Sequence, residues 1–189
     1  GELSLWAWPS WTLLASTPTP CVGYQNLAWS ADRVGAMRNQ VYVMGRFDLA
    51  PDEAFVVDVD DGGAEYFTVP LSNIWGTTLD IVDRTGSLNK AQSVPNADGG
   101  YTYVISPVDP GVANWIDSDG LREGILTLRM AEFGEAGPQP SLGARGRVVK
   151  LDRLDVEVPG LRPVSAVERE TELARRRHAY LRRLPEGTL

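Results

Sequence analysis

The sequence lacks most of the side chains on which common catalytic and metal sites depend. Among 189 residues there is one cysteine, Cys21, one histidine, His178, and two lysines, Lys90 and Lys150. A single cysteine excludes an intrachain disulfide, and a single histidine leaves no histidine cluster for a metal. Because His178 lies inside the basic C-terminal helix, an ordinary Ser-His-Asp arrangement is also disfavoured. No glycine-rich phosphate loop is present. The sequence therefore predicts no metal site and no cofactor.

A long apolar run and an excess of positive charge are also lacking. No stretch approaches the roughly 20 apolar residues that a membrane-spanning helix needs, and the formal net charge is −7. Because binding phosphates requires cations, an acidic chain disfavours nucleic acid. The cysteine count and the absence of a signal-like start favour the cytoplasm. Since the chain opens at Gly1 as if already inside a strand, we expect it to belong to a longer polypeptide.

Turn-forming residues, in contrast, are abundant. Nineteen glycines and thirteen prolines separate short apolar runs, which favours many strands over long helices. The turn Asp60-Asp-Gly-Gly63 predicts a tight hairpin between its flanking strands, because Asp-Gly supplies the positive φ angles that such a turn needs. The predicted strands cover 39–47, 54–59, 65–71, 101–105, 124–130 and 147–151, and 154–158 continues or follows the last of them.

The C-terminal segment changes to a helical period. Ser165 and Glu168 form a capping-box signature, which predicts a helix over 164–184 packed on the preceding domain or on a partner. The arginines at 175–177 and 182–183 are compatible with nucleic acid or acidic lipid, but a solvated face docked on an acidic domain is favoured. The predicted apolar stripe consists of Leu173, Tyr180, Leu181 and Leu184.

The connection from Ser106 to Gly120 is the densest run of turn-formers and acids. Loops held on a rigid scaffold are where function usually lies. Asp109 and Asp117 have the chemistry for acid-base work if burial separates their pKa values, with Arg129 stabilising charge, and turn oxygens are also Ca²⁺ ligands. The alternative is that Asp109, Asn114 and Asp117 satisfy the backbone in side-chain turns.

The tryptophans leave two interpretations open. A further strand is predicted at Leu5-Trp-Ala-Trp8. Trp6 and Trp8 share one of its faces, where they form an aromatic platform for a planar ligand or pack against a neighbouring sheet or domain. Trp115 is likewise either a ligand platform or a plug of the core, and the core is favoured.

Residues 39–131 contain a series of short motifs. They are Asn39-Gln-Val-Tyr-Val-Met-Gly, Leu49-Ala-Pro-Asp-Glu-Ala-Phe, Tyr66-Phe-Thr-Val-Pro-Leu-Ser-Asn-Ile-Trp75, Ser87-Leu-Asn-Lys-Ala-Gln92, Asp98-Gly and Asp109-Pro-Gly-Val-Ala-Asn-Trp-Ile-Asp117. In these motifs and their order the sequence is similar to an uncharacterised bacterial family, the domain of unknown function 1214. The resemblance implies a jelly-roll-like β-sandwich, usually preceded by another region of the same polypeptide, and no settled activity. It also implies either a ligand site or a set of contacts that hold loops together at the family's recurring residues, which are Asn73, Trp75, Asn89, Asp109, Asn114 and Trp115.

We therefore predict a mainly β fold, a jelly-roll-like antiparallel β-sandwich over 1–160 with a C-terminal α-helix. The favoured function is binding of a small amphipathic or sugar-like ligand at the loop end Asp109–Trp115. One alternative is a hydrolase or lyase that works through Asp109 and Asp117 with Arg129. The other is a structural domain that packs on a preceding region, a partner subunit or a second copy. The candidate ligand-binding residues are Arg46, Asn73, Trp75, Asn89, Asn114 and Trp115.

Overall fold

The protein folds into two packed β-sheets followed by a helix. The computed structural model describes residues 21–24, as backbone alone, and 40–183. Its strands are β1 (Cys21–Tyr24), β2 (Gln40–Asp48), β3 (Glu53–Asp60), β4 (Tyr66–Ser72), β5 (Ser87–Asn89), β6 (Tyr101–Ser106), β7 (Trp115–Asp117), β8 (Glu123–Ala131) and β9 (Gly143–Lys150). The helices are α1 (Leu154–Glu157) and α2 (Ala166–Leu181), with 3₁₀ turns at Lys90–Gln92 and Leu151–Arg153.

The strand order confirms the predicted β-sandwich with a C-terminal helix. One sheet has the order β1-β2-β8-β4-β5 and the other the order β7-β6-β3-β9. The pairs are antiparallel except β6 and β7, which run parallel. Because β2, β3 and β4 alternate between the two sheets, consecutive segments of the chain bring both sheets together over one core.

Burial patterns explain why these segments form strands. In β2, Val41, Val43, Gly45 and Phe47 are buried while the residues that alternate with them are partly exposed, as the predicted alternation requires. In β3 the run from Ala54 to Val57 is buried without alternation. Both faces of β3 are covered, one by the main core and the other by a smaller cluster that includes Leu154 of α1.

The predicted hairpin at Asp60-Asp-Gly-Gly63 is wrong. Gly62 and Gly63 do adopt positive φ, at 59° and 82°, but β3 pairs with β6 and β9, whereas β4 pairs with β5 and β8. The turn instead carries the chain from one sheet to the other. Lys90 holds it by donating hydrogen bonds to the Asp61 carboxylate and the Ala64 carbonyl, at 2.7 and 2.6 Å. The same φ angles serve either connection, so the local signature does not choose between them.

Three further expectations about the strands are corrected. The segment 154–158, expected to continue or follow the last strand as a strand, begins with the short helix α1, because its apolar residues Leu154 and Val158 cover the outer face of β3. The connection containing Trp115 includes a short strand, β7, that adds to the edge of β6. The last predicted strand also begins earlier, at Gly143.

The capping box of α2 is confirmed, but its docking surface differs from the predicted stripe. The Ser165 side chain accepts from the Glu168 backbone N–H, and the Glu168 side chain accepts from the Ser165 backbone N–H. Leu173, Tyr180 and Leu181 are only partly buried, and the one buried side chain of α2 is Arg169. A predominantly polar contact therefore holds this helix.

Some sequence predictions lie outside the described residues. They concern the Trp6 and Trp8 platform, Leu184 of the apolar stripe and the opening of the chain. Among the described residues, none of the helices has the length and apolar character needed to cross a bilayer.

Candidate functional site

Arg169 organises the contact between α2 and the sandwich. Its Nε donates to Asp109 Oδ2 at 2.8 Å, and its Nη2 donates to the Val112 carbonyl at 2.6 Å and to Asp109 Oδ1 at 3.3 Å. Nη1 donates to Glu172 Oε2 at 2.7 Å, within the helix. The side chain is only 8% exposed. A buried guanidinium is stable here because its donors meet two carboxylates and a carbonyl.

Trp115 lies directly beneath this guanidinium. The Arg169 Cζ atom is 5.1 Å from the centre of the Trp115 ring, a cation–π distance. The indole Nε1 donates to Ser106, at 3.2 Å to the carbonyl and 3.1 Å to the hydroxyl. Trp115 is 6% exposed and thus presents its ring to Arg169 instead of to solvent.

Asn114 ties three chain segments together. Its Oδ1 accepts from the Val94 backbone N–H at 2.8 Å, and its Nδ2 donates to the carbonyls of Val94 at 2.8 Å and Thr102 at 3.2 Å. Its φ of 54° lies in the left-handed region, which asparagine tolerates better than most residues. An amide that both accepts and donates is needed to satisfy these groups, which explains the residue type.

The two candidate catalytic acids are held separately. Asp109 accepts from Arg169 and from the Gly111 backbone N–H. Asp117 accepts from Arg84 Nη1 at 2.9 Å and from the Asp119 backbone N–H at 2.8 Å. The hydrogen bond to Asp117 and the neighbouring carboxylates raise the pKa of Arg84. Each acid thus has a guanidinium of its own, and within the described chain no hydrogen bond joins the two acids.

The remaining candidates are divided among other parts of the fold. Asn73 braces a turn by accepting from the backbone N–H groups of Trp75 and Thr77, both at 3.0 Å. Asn89 caps a 3₁₀ turn. Arg46 on β2 forms an ion pair with a glutamate on β8, and Arg129 on β8 lies over a tyrosine ring of β2 and bonds Gln40. Trp75 is 82% exposed at the tip of its turn. The structure thus brings together Asp109, Asn114 and Trp115 and places Arg46, Asn73, Trp75 and Arg129 elsewhere. Asn89 lines a cleft that adjoins the cleft lined by Asn114.

An open groove runs between α2 and the sandwich, which we call the α2 groove. It consists of two adjoining clefts of about 570 and 220 Å³ that share Gln92, Arg176 and Ala179. Apolar side chains of the first cleft include Val94, Ala113, Val164 and Val167, and those of the second include Tyr66, Ile81 and Tyr180.

Arg175 and Arg176, which the sequence analysis assigned to a solvated face, both line the α2 groove. Arg176 Nε donates to the Ile81 carbonyl at 2.9 Å, and Nη2 donates to the Ser87 carbonyl. Burial lowers the pKa of Arg176, since leaving water penalises its charged form. The prediction of a solvated arginine face is therefore wrong for Arg176. A run of arginines in the sequence does not show which members turn toward the sheet.

Metal-binding clusters are not part of this arrangement. Within residues 21–24 and 40–183 no group of three histidine, cysteine, aspartate or glutamate side chains is placed to hold an ion.

The chain is similar in fold and sequence to a protein of known structure. An uncharacterized protein from Burkholderia cenocepacia matches 70% of this chain at 36% sequence identity with a TM-score of 0.60. The chain spans only 36% of that protein's length. No family model matches the sequence, and no curated protein matches it. The shared fold supports the β-sandwich, while the resemblance to domain of unknown function 1214 stays a prediction.

Proposed function

We propose that this protein is a binding module that holds a small amphipathic ligand in the α2 groove. The observation that carries the proposal is the groove itself, whose first cleft of about 570 Å³ has the size of ordinary small-molecule sites. Its lining combines apolar side chains, which can hold an apolar body, with polar and charged groups, which can orient a head group. The proposal shifts the ligand from the surface of the Asp109–Trp115 loop to the groove beside it, because Trp115 is covered by Arg169.

The Asp109–Trp115 loop then has a supporting role. Asp109 and Trp115 fix Arg169, and Arg169 fixes the position of α2, which forms one wall of the groove. Asn114 both braces the loop and lines the first cleft. Rigid support of this kind is what a preformed site requires.

A space-filling pair of variants tests this proposal. Ala91 lines the first cleft, whereas Ala174 is an exposed residue of α2 that does not line it. We expect ligands from a panel of octanol, octanamide, octanoate and methyl glucoside to stabilise the wild type by up to about 2.7 kcal/mol at a hundredfold their Kd. Thermal unfolding should show this stabilisation in Ala174→Trp and not in Ala91→Trp. Equal stabilisation of both variants would place the ligand elsewhere and refute the proposal.

A second candidate function is a protein interaction domain that docks through Trp75. The observation in its favour is the 82% exposure of this indole on a turn braced by Asn73. Exposed tryptophans are frequent anchors of interfaces. The longer relative also shows that such a domain occurs within a larger protein. On this hypothesis Trp75 contributes to association and not to the stability of the domain.

A further inference from the structure

The α2 groove is positively charged although the chain as a whole is acidic. Four arginines and two glutamates line its two clefts, a balance of +2, whereas the whole sequence carries −7. These residues are Arg162, Arg175, Arg176, Arg183, Glu168 and Glu172. A positively charged cleft attracts anionic ligands even when the chain as a whole is acidic.

Both glutamates of the groove are already engaged. Glu168 accepts from the Ser165 backbone N–H at 2.8 Å and lies 3.6 Å from Arg162. Glu172 accepts from Arg169 at 2.7 Å. The two carboxylates therefore form their ion pairs with Arg162 and Arg169, and not with Arg175, Arg176 or Arg183.

Arg176 is a partly buried cation whose hydrogen bonds are to neutral groups. Its Nε and Nη2 donate to the carbonyls of Ile81 and Ser87. Glu172 and Asp80 favour its charged form from a distance, but in the described part of the chain no carboxylate lies within ion-pair distance of it. The carbonyl oxygens satisfy the N–H donors of Arg176 but do not neutralise its positive charge. A charge that is partly removed from water is stabilised by an opposite charge, so an anionic ligand would stabilise Arg176.

Arg175 adds a second available cation to the same cleft. It lines the first cleft beside Arg176, and across residues 21–24 and 40–183 its side chain has no hydrogen bond or ion pair. Its guanidinium can therefore turn to a ligand without losing a partner within the protein.

We infer that the ligand of the α2 groove is a small carboxylic acid with an apolar body, whose carboxylate is bound by Arg175 and Arg176. The inference rests on the proposed function and specifies its ligand. A guanidinium matches a planar carboxylate through paired hydrogen bonds. A monoanion suits the site better than a phosphate dianion, since Glu168 and Glu172 share the walls. The apolar body then lies against Val94 and Val167 or against Tyr66 and Ile81 on the other side of Arg176.

Matched acids and amides test the charge requirement directly. Octanoate and octanamide have the same chain length, as do phenylacetate and phenylacetamide, and each pair differs in the head group. Calorimetric titration of the wild type should give the acid at least about tenfold tighter binding than its amide. Equal affinities would overturn the inference and leave the small-molecule groove intact. Absence of binding for all four at about 1 mM, a weak-ligand range, would overturn both.

Two neighbouring arginines give the matched variants. Arg175→Gln removes a cation of the groove that has no partner among the described residues, whereas Arg177→Gln removes a cation that pairs with Asp83 outside the groove. We expect Arg175→Gln to weaken octanoate about tenfold with little effect on octanamide, and Arg177→Gln to leave both unchanged. Both positions are exposed, so neither change threatens the fold. An equal loss in the two variants would show a nonspecific effect of charge and refute the assignment.

Discussion

Two tryptophans that the sequence presents as similar candidates have opposite environments. Trp115 is 6% exposed beneath Arg169, and Trp75 is 82% exposed at the tip of a turn. Both follow an asparagine that braces the chain, Asn114 in one case and Asn73 in the other. In both places the asparagine beside the tryptophan braces the loop. Whether the indole is buried depends instead on residues that are distant in the sequence.

What covers Trp115 is a residue far away in sequence. Arg169 reaches it because α2 folds back over the connection between β6 and β7. No comparable segment of the described chain covers Trp75. One indole is therefore part of the packing and the other is available to a partner.

The largest expected effect is the loss of the buried indole. Trp115→Ala should lower the free energy of unfolding by about 3 to 5 kcal/mol, because it leaves a cavity and removes the surface on which Arg169 rests. Urea unfolding followed by far-ultraviolet circular dichroism measures this without relying on tryptophan emission.

Trp115→Phe is the matched control for that change. It keeps an aromatic ring beneath Arg169 but loses the hydrogen bond from Nε1 to Ser106, so it should cost about 1 to 3 kcal/mol. A loss below about 1 kcal/mol for Trp115→Ala, the usual range of a surface change, would contradict the packing role.

A smaller effect is expected at the guanidinium above the ring. Arg169→Gln removes the bonds to Asp109 and to the Val112 carbonyl, and should cost about 2 kcal/mol. The cost stays moderate because the Asp109 side chain is 33% exposed and regains water. Hydrogen exchange should show faster exchange across α2, since the helix loses its one buried anchor.

Arg177→Gln provides the comparison on the same helix. Its pair with Asp83 is between side chains 62% and 50% exposed, so a change within about 0.5 kcal/mol is expected. If Arg169→Gln and Arg177→Gln had equal effects on α2, Arg169 would not be the anchor.

Local sequence signals predicted much of this fold. The alternation in β2 and the capping box of Ser165 and Glu168 are confirmed because both patterns act within one element. The turn at Asp60–Gly63 was assigned to the wrong connection, because positive φ angles do not specify which strand pairs with which.

The candidate site was less accessible to sequence reasoning. Pairs such as Arg169 with Asp109 and Arg176 with Ser87 join residues 60 and 89 positions apart. Nothing in the arginine run distinguishes Arg176, which turns to the sheet, from Arg177, which lies at the surface. Long-range contacts of this kind depend on how α2 packs, which no local pattern contains.

An equally small effect on stability is expected for Trp75→Ala. Because the indole is mostly exposed and its turn is held by Asn73, the free energy of unfolding should change by less than about 0.5 kcal/mol. Urea unfolding of this variant beside Trp115→Ala gives the sharpest form of the comparison. A loss of 2 kcal/mol or more, about the size of a buried anchor's loss, would show that Trp75 is covered by another part of the chain.

Association is the property in which Trp75 should matter if the domain docks through it. Sedimentation velocity of the wild type over a range of concentrations measures any contact between copies, and Trp75→Ala should weaken such a contact by about tenfold or more. Trp75→Phe, which keeps an apolar ring on the same turn, should retain most of it. If the wild type stays monomeric, Trp75 does not serve self-association, and the interaction hypothesis then requires a different protein as partner.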